Sequence, residues 1–239
     1  MMLTFSSYQI EGGAKEGGRG PSIWDHFSHI PGKTADGKTG DVACDSFHRT
    51  KEDVALLKSY GAKAYRFSVS WSRVIPLGGR NDPVNPEGIK YYQNLVDELL
   101  ANGITPFITM FHWDLPQGLH ERYGGLLDKV EFAHDFERYG RVLFESLPKV
   151  KNWITLNEPW CSAVLGYNTG LFAPGRTSDR TKSEEGDSSR EHLIAGHSLL
   201  LGHARAVKLY RAEFKEKAGG QIGATLNGMS LPRYSNNPT

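Results

Sequence analysis

Stretches rich in β-branched and aromatic residues alternate along this chain with segments of helical apolar spacing, and few folds accommodate that alternation. LTFSSYQI (3–10), AKAYRFSVSW (62–71), ITPFITMFHW (104–113), VKNWITLN (150–157) and QIGATLN (221–227) read as strands. Between them, TKEDVALLKSYG (50–61) predicts a helix with Thr50 as N-cap and Gly61 as its stop. Asn85-Pro86-Glu87 opens a second helix that Asn102-Gly103 closes, and residues 128–147 and 188–219 supply two more. Strands joined by helical crossovers lie parallel in a sheet covered by helices. Residues 11–47 read as a long loop, and the polar segment 172–190 as a loop or mobile excursion.

Two architectures satisfy this pattern, an open doubly wound sheet and a (β/α)8 barrel. The strand ends favour the barrel. Gln9, Trp71, His112-Trp113-Asp114, Asn157-Glu158 and Asn227 all fall there, and in a barrel such ends converge on one catalytic rim. The strands are spaced roughly 45 to 70 residues apart, so eight units would need on the order of 400 residues, against ~250 for a minimal barrel. With 239 residues, the chain reads as a single partial barrel domain over 1–239, covering about strands 1–5 and helices 1–4.

Bulk chemistry excludes several partners. Lys and Arg number 28 against 27 Asp and Glu, a net charge of +1, which offers nothing to nucleic acid or an anionic membrane. The apolar runs are too short to span a bilayer. Cys44 and Cys161 are far apart and neither belongs to a C-x-x-C pair, which predicts free thiols in a reducing compartment. MMLTFSSYQIEGG lacks a basic segment followed by an apolar one, unlike a signal peptide. The expected location is cytoplasmic.

The chemistry concentrates in a few places. In WITLNEPW (153–160), Glu158 ends a strand at a half-buried rim, where partial desolvation favours the protonated form that a proton donor needs. Pro159 is expected to keep Glu158 extended, and the Asn157 amide can hold a ligand hydroxyl. By itself, a glutamate at a strand end is more often a surface or ion-pairing group. In FHWDLP (111–116), Trp113 can stack on the apolar face of a sugar while His112 and Gln9 bind its hydroxyls; Asp114 is expected to cap the following turn. Arg66, inside an apolar strand, calls for a buried anionic partner.

Two other patterns are weaker. GKTADGKT (32–39) matches the phosphate-binding G-x-x-x-x-G-K-[ST] pattern, but it follows Pro31, runs into Gly40-Asp41 and has no predicted strand or helix beside it. His192, His197 and His203 share a helix at spacings that place them on different faces, so no metal is expected.

The ordered set SYQIEG, GRGPSIWD, ACDSFHR, YRFSVSWSR, HWDLPQGL, YGGL, WITLNEP, GY and APGR resembles glycoside hydrolase family 1, the β-glucosidase family, and within it the fungal intracellular β-glucosidases. The resemblance implies a (β/α)8 TIM barrel and retaining hydrolysis of β-glucosides or cello-oligosaccharides, without a cofactor. By resemblance, Glu158 matches the general acid/base and Asn157 the group that binds the sugar 2-hydroxyl. Gln9, His112 and Trp113 match sugar-subsite residues, and Arg66 matches the arginine supporting the nucleophile. Trp160, Cys161, Tyr167 and Asn227 fall near the aglycone side. The family's nucleophile is a second glutamate in a T/I-E-N-G motif on strand seven, and no such motif occurs here. The expectation is therefore a chain inactive alone, able to bind sugar or to associate through open barrel edges.

Overall fold

The computed structural model describes residues 1–228. Its five strands are β1 (Met2–Phe5), β2 (Ala64–Ser68), β3 (Thr105–Phe111), β4 (Asn152–Asn157) and β5 (Gln221–Thr225). They pair in the order β1-β2-β3-β4-β5, every neighbour parallel. A doubly wound sheet reverses its strand order at a switch point; this sheet never does, which is the winding of a barrel.

Four long helices form the crossovers: α1 (Ser46–Ser59), α2 (Pro86–Ala101), α3 (Lys129–Ser146) and α4 (Glu191–Leu209). Local chemistry explains several of their ends. Asn85 caps α2 by accepting from the Glu87 N–H, with Pro86 in the first turn. Asp128 caps α3 through the Val130 and Glu131 amides. Gly61, at φ +70°, supplies the left-handed residue that lets the chain leave α1 and enter β2.

The sheet face under the helices is apolar. Tyr65, Phe67, Ile108, Met110 and Trp153 are all buried there. The opposite face carries Arg66, Thr109 and Asn157, and it is on this face that the site lies.

Several sequence expectations are corrected. β1 stops at Phe5, and Ser7–Ile10 is a single helical turn, so Gln9 stands on a turn beyond the strand. Trp71 begins a short helix, Trp71–Val74; it is fully buried and stacks on Tyr139 at 4.6 Å, away from the rim. Helix α1 begins at Ser46, not after Thr50, because the Phe47 N–H donates to the Glu11 carbonyl at 2.9 Å and fixes the chain there. Thr50 instead donates back to the Ser46 carbonyl. The long loop holds a helix at Ile23–Ser28 with a complete Ser22/Asp25 capping box. Segment 172–190 is a loop, as one of its two expected readings had it, and Arg176 within it forks onto Glu191 at 2.9 Å through two nitrogens and also pairs with Glu185.

Candidate active site

The polar cluster begins at the end of β4. Asn157 is buried, and its Oδ1 accepts from Arg66 Nη2 at 2.5 Å and from Thr225 Oγ1 at 3.2 Å. Arg66 also donates through Nε to Thr109 Oγ1 at 2.9 Å and through Nη2 to Thr225 Oγ1 at 3.1 Å. Strands β2, β3, β4 and β5 are thus joined through one guanidinium. Its pKa is lowered by burial, with the nearby Glu158 charge acting in the opposite direction. Among the described residues its hydrogen-bond partners are two hydroxyls and an amide, and the carboxylate acting on it electrostatically is Glu158.

Glu158 follows Asn157 with its N–H donating to the Thr225 carbonyl at 2.9 Å. Its φ is +42°, so the extended backbone expected ahead of Pro159 does not form; the chain bends sharply there into the helical turns that start at Pro159. Glu158 is half-buried, and its carboxyl accepts a hydrogen bond from the Cys161 thiol, Sγ to Oε2 3.5 Å. Burial pushes that thiol up to about 11, helped by the carboxyl beside it.

At the end of β3, Trp113 also has a positive φ, +77°. A non-glycine residue in that region is strained by about 1–3 kcal/mol and persists only where its surroundings fix it. Here the indole N–H donates to the Asn157 carbonyl at 2.8 Å, and the ring packs against Phe172 with centroids 5.2 Å apart. His112 lies edge-on to Trp113 at 4.8 Å; burial, then the Arg66 charge, pull its pKa down to about 4. It is a neutral imidazole at physiological pH. Asp114 does not cap a turn: it is buried, and Oδ2 accepts from Ser7 Oγ at 2.7 Å.

The remaining sequence candidates divide. Gln9 is exposed, on the turn after β1. Asn227 lies two residues beyond β5, exposed, with Nδ2 3.7 Å from Cys161 Sγ. Trp160 is 52% exposed and open to a ligand. Tyr167 is fully buried, so its ring has no surface to offer, and burial raises its phenol pKa.

Sequence reasoning missed Thr109, Thr225 and Phe172. The strand register carried a usable signal for Thr109, which pairs with Ser68, two residues beyond Arg66 on the same face. Nothing local marked Phe172.

The two weaker patterns contribute nothing to this cluster. GKTADGKT sits between Ser28 and Ser46, where the only regular element is a single turn at Ala35–Gly37; the strand-loop-helix context of a phosphate loop is absent. On α4, His203 Nδ1 lies 2.7 Å from Thr155 Oγ1 and His192 Nδ1 3.3 Å from Asn168 Nδ2. Among the described residues no group of three His, Cys, Asp or Glu side chains could hold a metal ion, and no helix is long and apolar enough to cross a membrane.

The family described as glycosyl hydrolase family 1 matches residues 3–239. β-Glucosidase 1B of Phanerodontia chrysosporium is 61% identical over 234 residues, 98% of this chain and 43% of its own length. β-Glucosidase 12 of Oryza sativa subsp. indica is 54% identical over 225 residues, 92% of this chain and 44% of its own length. A family 1 β-glucosidase from the fungus Humicola insolens, solved in complex with glucose, superposes with a TM-score of 0.96 at 64% identity, covering 99% of this chain and 50% of that one. The rice β-glucosidase Os3BGlu6 gives 0.95 at 42% identity, again over 99% and 50%. The chain therefore spans about half the length of the relatives it matches, and its five-stranded sheet is part of their (β/α)8 barrel. This chain belongs to glycosyl hydrolase family 1, the family of the β-glucosidases.

Proposed function

We propose that this chain carries the acid/base half of a retaining β-glucosidase centre within one partial barrel domain, and does not hydrolyse glycosides alone. The carrying observation is the end of β4, where half-buried Glu158 follows Asn157 and its charge acts on Arg66, which donates to Asn157. In the reaction this supports, Glu158 gives its proton to the glycosidic oxygen while a second carboxylate attacks the anomeric carbon. The Glu158 carboxylate then takes a proton from the water that releases the sugar. The two carboxyls must stand about 5–5.5 Å apart. Among the described residues, the Glu158 carboxyl has a hydrogen bond only from Cys161, and Arg66 only to Thr109, Asn157 and Thr225. No cofactor enters this chemistry.

The substrate is a β-glucoside or cello-oligosaccharide. Gln9, neutral His112 and Asn157 face its hydroxyls, Trp113 its ring, and Trp160, Cys161 and Asn227 the aglycone. Tyr167 packs behind them. The unbridged thiols, Cys44 exposed and Cys161 buried, fit a reducing, cytoplasmic location.

A chimaera tests the role of Glu158. This chain would replace the matching portion of the Phanerodontia β-glucosidase, restoring a complete barrel. The expected result is hydrolysis of alkyl β-glucosides that falls by ~10²–10⁴-fold in Glu158→Gln, with a smaller fall for aryl substrates whose leaving groups need no proton. Equal activity of the chimaera and its Gln variant on alkyl substrates would remove Glu158 from the acid/base role.

A further inference from the structure

We propose that Asp114 is a positioning residue that acts through Ser7 to fix the spacing between Gln9, on the turn after β1, and His112–Trp113 after β3. A hydrogen-bond chain links the segment after β1, the end of β2 and the segment after β3. The Ser7 N–H donates to Ser68 Oγ at 2.7 Å, Ser68 Oγ donates to Ser7 Oγ at 3.1 Å, and Ser7 Oγ donates to Asp114 Oδ2 at 2.7 Å. All three residues are 3% exposed or less. Ser7 opens the helical turn that carries Gln9 two residues later, and Asp114 directly follows Trp113, the residue at φ +77°.

Packing alone does not account for a carboxyl at this place. Burial pushes Asp114 up to about 7 despite the Ser7 hydrogen bond and the Arg19 charge, and Oδ1 is buried with no partner. An apolar side chain of similar size would avoid that desolvation cost. What it could not do is accept the Ser7 hydroxyl, and with it tie the β1 turn to the bend at Trp113. The strain at Trp113 is thus held from two sides, by the indole bond to the Asn157 carbonyl and by the Asp114 anchor one residue later.

That the spaced groups are sugar contacts rests on the reading above; the spacing itself does not, so the experiment reads the spacing alone. The full chain, labelled with 5-fluorotryptophan, would carry a nitroxide on Gln9→Cys in a Cys44→Ser background, with the Trp113 fluorine resonance assigned by Trp113→Phe. Strong broadening of that resonance is expected in the parent and in Asp114→Asn, whose amide oxygen still accepts from Ser7. Asp114→Ala and Ser7→Ala should each reduce the broadening at least two-fold, while Leu99→Ala, a comparable core loss elsewhere, leaves it intact. Should Asp114→Ala not fold, Ser7→Ala decides, since it removes one hydroxyl. Unchanged broadening in Ser7→Ala, or an equal loss in Leu99→Ala, would overturn the proposal.

Discussion

His112 and Arg66 show how single residues here are tuned by their neighbours. His112 is kept neutral by burial and by the guanidinium below it, its pKa near 4 against an ordinary value near 6.5. In the unfolded chain it gains a proton as pH falls through about 6.5, which the folded chain refuses until about 4. Between those values the unfolded state binds more protons, so stability falls on acidification. Allowing for partial exposure, the loss from pH 7 to pH 5 traceable to His112 is on the order of 1 kcal/mol. Thermal unfolding of His112→Gln at the two pH values should show a smaller acid-induced drop than the parent; equal drops would contradict this origin. Arg66 illustrates the limit of reading residues in order. Its place in an apolar strand was legible as a demand for a partner. That the partners are Thr109, Asn157 and Thr225, up to 159 residues away, is a consequence of strand register that no local pattern contains.

At the scale of elements, legibility followed the range of the interactions involved. Asn85-Pro86 marked the start of α2 because capping is decided within four residues. The start of α1 has no local signal because Phe47 is fixed by the carbonyl of Glu11, from another segment. Glu11 belongs to a second buried network that the sequence did not announce. Arg73, with no exposed side chain, donates through Nε to Glu11 Oε2 at 3.0 Å and through Nη2 to the Gly12 carbonyl at 3.0 Å. Tyr92 on α2 donates to Glu11 Oε1 at 2.6 Å, and the Arg73 guanidinium lies over the Phe47 ring at 4.2 Å. The network joins the segment after β1 to α1 and α2. Removing one partner leaves the other charge buried, so Arg73→Met should cost about 3–5 kcal/mol in denaturant unfolding. The double variant Arg73→Met with Glu11→Leu should recover much of that loss. A cost below about 1 kcal/mol for the single variant would mean the pair is solvated in practice.

For the whole molecule, the parallel alternation and the polar strand ends made a partial barrel legible, and the unbroken strand order bears it out. Among the described residues β1 pairs only with β2, and β5 only with β4. Phe5 and Leu226, on or beside those edges, are 43% and 76% exposed. Unpaired parallel edges with apolar neighbours invite pairing with another chain. Sedimentation should therefore show association that grows with concentration; a single monomeric species up to high micromolar concentration would contradict it. The central proposal is that Glu158 is an acid/base carboxyl and that this chain, by itself, does not hydrolyse glycosides. It is tested most directly by assaying the purified chain, alone, for steady release of the aglycone from an aryl β-glucoside. The account predicts no turnover above buffer. Sustained turnover that disappears in Glu158→Gln would contradict it, by showing that the chain holds both carboxyls the reaction needs.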